Sequence, residues 1–408
     1  MRRIPLVFAI ACSVAACAHD DPATPPVAPL PGDISLAANG GHSPATLADG
    51  KSIFRFDTFG DETFWTDTLR MHEVIRTSVS PVTALSVGLK VDVDALPAAV
   101  KAGIVGKTID LNSPATTVAL LKLGAVVGVV GHVDASDTLR RVGITCALCH
   151  STVDNSFSSG IGHRLDGWPN RDLNVGAIVS LSPAVTAAQK AVYGSWGPGM
   201  YDPRFNIDGK NLPVVIPPAF GLRHVEREIY TGDGPVSYWN AYVAITQMHG
   251  HGHFVDPRIG VDKNNTPPDL VTSKLPALRE YQFSLEAPAP IPGSYDKHAA
   301  QRGRAVFNGI ARCSSCHLAG SLSDVNKGRL HPASEVGQDS AYAARSATKL
   351  YRTTPLRGLW HPPQLKGPYF HDGNAKTLES AVDHYVALFN LTLSDRQKRD
   401  LVEYLKTL

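Results

Sequence analysis

Apolar and polar positions recur at helical spacing in several segments of the chain. A period of 3.6 residues predicts amphipathic helices, and the segments that show it are residues 64–75, 115–123, 295–307, 377–389 and 395–405. Ser113 and Pro114 precede the second segment as a cap and a first turn, and Ser394 with Gln397 forms a capping box for the last. These segments predict a chain built mainly from helices.

One stretch of the chain departs from this pattern. Two short apolar runs, 126–133 and 139–144, flank Asp134-Ala135-Ser136-Asp137, which predicts a β-hairpin. The longer apolar stretch 119–133 contains lysine, histidine and glycine residues, so we do not expect it to span a membrane.

Composition places the chain among globular proteins. Its 408 residues are 43% hydrophobic and 19% charged, and the 35 glycines and 30 prolines indicate long irregular connections. Residues 286–293 (EAPAPIPG) read as a linker. We therefore predict a first unit over 34–285 and a second unit over 294–408.

The N-terminus is typical of a secretion signal. Arg2 and Arg3 precede a short apolar run, and the small residues before Cys17 resemble a lipoprotein processing site. We predict a lipoprotein-type signal peptide over 1–16, a proline-rich tether over 17–33, and a periplasmic protein held to a membrane only by its lipid. The alternative is ordinary cleavage near Ala16 or Ala18. Removal of the signal leaves no net formal charge, so the chain lacks the basic surface that nucleic-acid binding requires.

The cysteines give the strongest chemical signal. Cys12 and Cys17 lie in the signal region, and the other four form two Cys-x-x-Cys-His sequences, Cys146–Cys149–His150 and Cys313–Cys316–His317. In a secreted chain this sequence is typical of covalent haem c attachment, in which both thiols bond to the haem and the histidine ligates its iron. A redox dithiol or a zinc site is the alternative, but zinc needs ligands that the cysteine count does not supply.

The haem motif itself does not specify the second ligand of each iron. Apart from Met1, the methionines are Met71, Met200 and Met248, so none follows the second motif. That haem is then left with a histidine, a tyrosine or an open position, and the candidates are His331, His361, His371, His384 and Tyr385.

For the first haem, the residue that we favour is a histidine in a glycine-rich turn. His163 follows Gly160-Ile161-Gly162, and the glycines would let the chain turn back over the iron. A separate cluster, His249-Gly250-His251-Gly252-His253, could bind a metal, supply an acid or base near an open haem, or form an exposed loop.

In these motifs the chain resembles the bacterial di-haem cytochrome c peroxidase and MauG family. Residues 294–408 carry the clearest match, in Arg302-Gly303, Phe307-Asn308-Gly309, the second haem motif, Tyr351 to Arg357, Pro368 to Gly373, and Ala381 to Tyr385. The resemblance implies two cytochrome c-like domains whose haems face a shared interface. It also implies Tyr385 as the distal ligand of the second haem and Arg357 as a cation for a haem propionate.

The resemblance implies further residues in the first half, where the match is weaker. Asn174 and the carbonyl of Pro368 fall where the family binds calcium, and Trp168 or Tyr230 falls at the aromatic position between the haems. Asn240 falls at the position where the family has a pocket glutamine. The pocket glutamate has no clear counterpart among Gln247, His249 and Gly250, and His249 could replace it as acid or base.

The function that follows is a peroxidase-like oxidoreductase. Its C-terminal haem would take electrons from a small periplasmic cytochrome or cupredoxin and pass them to the N-terminal haem, which would reduce hydrogen peroxide. The alternatives are a MauG-like oxidase acting on a protein or organic substrate, and a plain di-haem electron-transfer lipoprotein. A homodimer is implied by the resemblance only.

Overall fold

The computed structural model describes residues 43–408. The predicted signal peptide, Cys17 and the predicted tether lie outside the described residues. Within 43–408, no helix is long and apolar enough to cross a membrane, which agrees with our reading of residues 119–133.

Helices form most of the regular structure. In chain order the α-helices are α1 (Pro44–Phe56), α2 (Met71–Ser78), α3 (Pro81–Ser86), α4 (Ala98–Val105), α5 (Pro114–Lys122), α6 (Ala147–His150), α7 (Val175–Ser180), α8 (Ala187–Gly194), α9 (Phe205–Asp208), α10 (Val236–Tyr242), α11 (Leu275–Ser284), α12 (Lys297–Asn308), α13 (Ala333–Val336), α14 (Ser340–Ala344), α15 (Leu378–Leu388) and α16 (Asp395–Leu405).

Short strands join these helices in two-stranded sheets. The strands are β1 (Val91–Asp92), β2 (Val129–Val133), β3 (Leu139–Ile144), β4 (Ser151–Val153), β5 (Ile161–Gly162), β6 (Arg164–Asp166), β7 (Met200–Tyr201), β8 (Val214–Val215), β9 (His253–Asp256) and β10 (Val261–Asn264). The pairs are β1–β5, β2–β3, β4–β6, β7–β8 and β9–β10, and only β1–β5 is parallel. The fold is therefore helical with small sheets, and the expectation of a single hairpin was too simple. The division into cytochrome c-like domains stays a prediction.

The predicted helices and hairpin are largely confirmed. Helix α5 begins after Ser113, α15 begins after Thr377, and α16 has the predicted capping box of Ser394 with Gln397. Strands β2 and β3 form the predicted hairpin that leads into the first haem motif.

The segment 64–75 is the exception. It is a π-helix over Thr63–Thr68 followed by α2, and the chain turns between them at Arg70, which has φ 57°. Thr66 explains the break, because its hydroxyl both donates to and accepts from the backbone of Val142 on β3, at 3.1 and 2.9 Å. Tertiary contact with the hairpin overrides the helical period.

The extension before the first motif belongs to the core around that motif. Helix α1 packs directly on α11, and a Cβ at Gly50 would lie 2.1 Å from the Ala277 carbonyl oxygen. Thr145, next to the first cysteine, donates to the Arg55 carbonyl oxygen at 3.1 Å. Residues that the family resemblance did not explain therefore support the first haem motif.

The C-terminal unit has its own core. Helices α12, α15 and α16 share a buried cluster that includes Phe307, Val382 and Leu401. Helix α12 crosses α16 at Gly303, where a Cβ would lie 1.9 Å from the Asp400 carbonyl oxygen. Beside this contact Arg302 donates two hydrogen bonds to the Asp400 carboxylate, at 2.6 and 2.8 Å.

We expect Gly303→Ala to destabilise the C-terminal unit. The added methyl group must push the two helices apart, and overpacking of this kind costs about 1–3 kcal/mol. Thermal unfolding monitored by circular dichroism measures it. Gly194→Ala at the end of α8 is the matched control, because a Cβ there has no neighbour within 4 Å. Equal melting temperatures for the two variants would contradict the proposed close crossing.

The two predicted units are joined by buried ion pairs. Arg345 donates to both Asp202 and Asp208, at 3.0 and 2.7 Å, and its side chain is fully buried. Val225 also shares a buried cluster with Val325 and Leu330. Removing one partner of a buried pair leaves an uncompensated charge, so these contacts hold the second half against the first.

Candidate haem-binding sites

The second Cys-x-x-Cys-His motif forms a tight turn after α12. Cys313 to Ser315 make a 3₁₀ turn, which begins after Arg312 in the left-handed region at φ 54°. The His317 ring is oriented from within the same loop, because its Nδ1 lies 3.0 Å from the Leu322 carbonyl oxygen. A haem-ligating histidine is commonly held in this way, which leaves Nε2 for the iron.

The first motif has the same arrangement in a different setting. Cys146 precedes α6, and His150 ends that helix before β4 begins. Nδ1 of His150 lies 3.1 Å from the carbonyl oxygen of Pro217, a residue distant in sequence. Both motif histidines therefore have one ring nitrogen fixed by a backbone carbonyl.

The ionisable groups of both motifs are held neutral. Burial raises the pKa of Cys146 and of Cys149 to about 12, and raises that of Cys313 to about 11. Burial also lowers the pKa of His150 to about 4. A reactive dithiol needs a depressed thiol pKa, so these cysteines do not suit the redox-dithiol alternative, while a neutral imidazole suits iron.

A cavity of about 570 Å³ opens beside the second motif. Its size falls in the range of roughly 300–1,000 Å³ that is usual for cofactor sites. Most of its wall is apolar, and residues of both halves of the chain contribute to it. Among them are Pro169, Arg171, Pro217, Phe220, Tyr230, Phe307, Cys313, Cys316, His317, Arg352, Arg357, Tyr369, Val382 and Tyr385.

The polar part of this wall suits an anionic cofactor. Arg171, Arg352 and Arg357 line the cavity, and each has a buried Nε without a hydrogen-bond partner in the described part of the chain. Buried donors are normally paired. Two thiols, an oriented imidazole, an apolar wall and guanidinium groups with unpaired Nε donors together fit a covalently attached haem with its propionates.

Tyr385 lies where a distal ligand would be needed. It lines the cavity, its ring packs on Phe370 and Phe389, and burial raises its pKa to about 12. The charges of Cys316 and Cys313 also act on its pKa, so it lies near both thiols. Its ligand role stays a prediction, and no hydrogen bond within residues 43–408 occupies its hydroxyl.

The competing histidines are engaged elsewhere. Nδ1 of His371 lies 3.1 Å from Gln338 Oε1, and its Nε2 lies 3.0 Å from Asp339 Oδ2. Nε2 of His384 lies 3.1 Å from the Val336 carbonyl oxygen.

The remaining two candidates are no better placed. Both ring nitrogens of His331 lie 3.1 Å from carboxylates, of Asp324 and Glu335. His361 packs edge-on against Trp168 with ring centroids 4.9 Å apart. Of the five candidates, Tyr385 has the freest ligand atom beside the cavity.

The prediction for His163 needs correction. Its side chain is 58% exposed, and its Nδ1 lies 3.0 Å from the carboxylate of Asp94. The antiparallel pairing of β4 with β6 places His163 opposite Asp154, which follows His150 by four residues. Because the ring points to solvent and is held by Asp94, this geometry does not provide a distal ligand for the first haem.

The predicted acid or base, His249, lies on a strained turn at φ 66°. Its ring stacks on Phe64 with centroids 3.7 Å apart, and burial lowers its pKa to about 4. At neutral pH it is therefore an uncharged base. Its catalytic role stays a prediction.

The three histidines of the cluster do not share a metal site. His251 lies 3.3 Å from the Thr63 hydroxyl, whereas His253 lies 2.7 Å from Asp262. The metal-binding alternative for this cluster is not supported. In the region that the structure describes, the one group with metal-ligand spacing is Cys316, Asp324 and His331, and its cysteine belongs to the haem motif.

Asn240 and the predicted calcium ligands are also engaged. Asn240 Nδ2 donates to Gln282 Oε1 at 2.7 Å. Asn174 Oδ1 accepts from the backbone of Ala177 and caps α7, at 2.9 Å. The Pro368 carbonyl oxygen accepts from Arg171 Nη1 at 3.3 Å. The two oxygens expected for calcium therefore already have other partners in the described residues, and the calcium site stays a prediction.

Three residues that the resemblance implied do lie near the cavity. Arg357 lines it and donates from Nη2 to the Gly320 carbonyl oxygen. Tyr230 lines it as well, with its hydroxyl donating to the Val215 carbonyl oxygen at 2.9 Å. Trp168 packs against Phe220 and Leu365 between the two halves. Both aromatic candidates for the position between the haems therefore remain open.

Comparison with known proteins places this geometry in context. No model of a known protein family matches the chain. Over 158 residues it is 31% identical to the methylamine utilization protein MauG of Methylorubrum extorquens, which covers 34% of this chain and 43% of that protein. Over 128 residues it is 27% identical to MauG of Methylophilus methylotrophus, with 27% and 36% covered.

Over these residues the chain is similar to MauG. This confirms the resemblance to the MauG and di-haem cytochrome c peroxidase family. The matches span less than half the length of these curated relatives, so whole-protein activity does not follow from them.

Two solved structures share distant similarity with this chain. A hydrazine synthase of Kuenenia stuttgartiensis matches with a TM-score of 0.34 and 19% identity, covering 48% of this chain and 72% of that one. A MauG-like protein associated with microbial copper homeostasis matches with a TM-score of 0.26 and 20% identity, covering 35% and 55%. These scores are too low to assign a fold.

Sequence reasoning missed several residues of the two sites. Pro217 and Leu322 act through their carbonyls, which a side-chain motif does not reveal. Asp61 is fully buried and accepts from the Ile144 backbone at 3.2 Å. Arg171 shows no sequence signal, although it lies only two residues after Pro169 of the cavity wall.

Proposed function

We propose that this protein is a periplasmic di-haem c-type oxidoreductase with peroxidase-like activity. The observation that carries the proposal is the pair of haem motifs, each with its histidine oriented by a backbone carbonyl. Relationship to MauG supports it independently. When bound, the haems supply one-electron redox chemistry at iron.

The residues of the second site have different roles in binding the haem. Cys313 and Cys316 would hold the cofactor, and His317 and Tyr385 would supply ligand atoms to its iron. Arg357 neutralises a propionate through a charge-assisted hydrogen bond. An anionic oxygen ligand such as tyrosinate favours the oxidised iron, so Tyr385 suits a low potential.

Contact between the two sites supports electron transfer from one to the other. Pro217 orients His150 through its carbonyl and also forms part of the cavity wall at the second motif. Pro169 and Trp168, close to the first motif, lie at the same junction. Electrons from a small cytochrome or cupredoxin would enter at the C-terminal haem and reach the N-terminal haem through this junction.

Reduction of hydrogen peroxide also needs protons at the first site. His249 is a neutral base there, and Gln247 accepts from the Tyr201 hydroxyl at 2.6 Å close to Cys149. The pocket carboxylate that peroxidases of the family use has no counterpart at 247–250. For this reason a MauG-like oxidase of a protein or organic substrate is the second candidate, and tyrosine at 385 favours it.

We expect two haems per chain, each removable on its own. Cys146→Ser/Cys149→Ser and Cys313→Ser/Cys316→Ser should each lose one haem, because both thioether bonds of that site are gone. Intact-protein mass and the haem-to-protein ratio measure this. Retention of two haems by either double variant would rule out the assigned attachment site.

Electron paramagnetic resonance then distinguishes the three candidate functions. We expect a high-spin first haem that responds to peroxide, in the half-reduced protein for a peroxidase and in the fully oxidised protein for a MauG-like oxidase. Two low-spin haems that ignore peroxide in both states would leave only the electron-transfer lipoprotein. Cell fractionation with and without Cys17→Ser tests the periplasmic location and the lipid anchor, and gel filtration tests the homodimer.

A further inference from the structure

Arg171 lies at the junction of the two haem motifs. The preceding residue, Asn170, donates its backbone N–H to the carbonyl oxygen of Cys149 at 2.9 Å. From the other side, Arg171 Nη1 donates to the carbonyl oxygen of Pro368 at 3.3 Å, and the side chain lines the cavity at the second motif. Two adjacent residues thus connect the first motif with the wall of the second site.

The charge of Arg171 is not neutralised within residues 43–408. Its Nε is buried without a hydrogen-bond partner, and no carboxylate pairs with it. Burial lowers its pKa, and the nearest groups that act against this are the phenols of Tyr230 and Tyr369. An unpaired buried cation is costly, so the site is built for an anion that enters the cavity.

Other buried arginines show what is missing. Arg345 pairs with Asp202, Arg204 pairs with Asp233 at 2.7 Å, and Arg352 lies 3.1 Å from Glu228. Arg171 differs because no carboxylate pairs with it, and its Nε has no partner in the part of the chain that the structure covers. The guanidinium edge that carries Nε can bind a carboxylate through two parallel hydrogen bonds.

We propose that Arg171 binds a haem propionate of the second site and is the fixed cation of the junction, in place of a calcium ion. This inference rests on the haem attachment proposed above. Arg171 already occupies the Pro368 carbonyl, and Asn174 caps α7, so the two expected calcium ligands serve the protein's own groups. A guanidinium between the motifs supplies the positive charge that a divalent ion would otherwise provide.

Arg171→Gln tests the proposal in the holoprotein. Haem content is measured first, so that loss of haem from the wild type, which would overturn the proposed function, is not confused with failure of this inference. With both haems attached, we expect the midpoint potential of the C-terminal haem to fall, because a nearby cation stabilises the reduced iron. Arg171→Lys should retain the wild-type potential.

Arg304→Gln, on the exposed side of α12, is the matched control and should leave both potentials unchanged. An unchanged potential in Arg171→Gln would overturn the inference. If Arg171→Gln fails to fold, the test passes to Arg171→Lys, which must fold and keep the wild-type midpoint potential. A lower potential of the C-terminal haem in Arg171→Lys would then overturn the inference.

A calcium titration of the wild type gives an independent readout. We expect the melting temperature and both haem potentials to be the same with added calcium and with a chelator, because the Arg171 guanidinium occupies the position expected for the ion. A rise of either quantity with calcium would show that the ion, and not Arg171, completes the junction.

Discussion

Replacement of Tyr385 by phenylalanine is expected to change the second haem profoundly. The variant keeps the ring that packs on Phe370 and Phe389 but removes the hydroxyl, so the iron loses its distal ligand without loss of packing. Axial ligands set haem potentials over about 0.8 V, and loss of an anionic oxygen removes stabilisation of the oxidised iron. We expect the potential of this haem to rise by on the order of 0.1 V or more, with loss of its low-spin signal.

Tyr404→Phe is the control for this experiment. Tyr404 belongs to the same unit and packs on Phe307 at 5.2 Å, but it does not line the cavity. Spectroelectrochemistry and paramagnetic resonance of the two variants, each with two haems attached, give the comparison. If Tyr385→Phe matches the wild type in spectrum and potential, Tyr385 is not a ligand, and the argument for a MauG-like oxidase loses its main support.

The features that sequence predicted correctly depend on neighbours close in the chain. A capping box joins Ser394 to Gln397, three residues on, and a hairpin joins strands through a short turn, so both can be read locally. The orientation of His317 also depends on a close neighbour, Leu322, but it was missed because a carbonyl contact leaves no side-chain motif. Confirmation of α5, α15 and α16 follows from this locality.

The features that sequence missed depend on distant partners. Asp94 lies 69 residues before His163 and turns it to solvent. Pro217 lies 67 residues after His150 and orients it. Nothing in the local pattern indicates either contact. The contact of Arg171 with the Pro368 carbonyl belongs to the same class, since it spans 197 residues.

These distant contacts also give the extension before the first motif a role. Asp94 and Asp61 both come from it, and both act on residues beside the first motif. Helix α1 adds the packing against α11. The extension, which the family resemblance left unexplained, is therefore a structural part of the first site and the source of its buried carboxyl group.

That carboxyl group, Asp61, leads to the second large expected effect. Its pKa is raised to about 9, mainly by burial, with the Ile144 backbone N–H opposing this in part and the charges of Glu62 and Asp57 adding to it. Since the folded-state pKa lies above that of the unfolded chain, Asp61 stabilises the fold fully only below about pH 4. Its contribution is then lost as the pH rises toward 9, by up to about 1.4 kcal/mol per pH unit.

Asp61→Asn should remove this dependence, because the amide keeps the shape of the neutral acid and cannot ionise. We expect the wild type to lose up to ~4 kcal/mol relative to the variant between pH 5 and pH 8, measured as the free energy of unfolding in urea. Asp67→Asn, an exposed neighbour with its side chain 55% accessible, is the control and should follow the wild type. Parallel pH profiles for wild type and Asp61→Asn would mean that Asp61 is ionised in the fold.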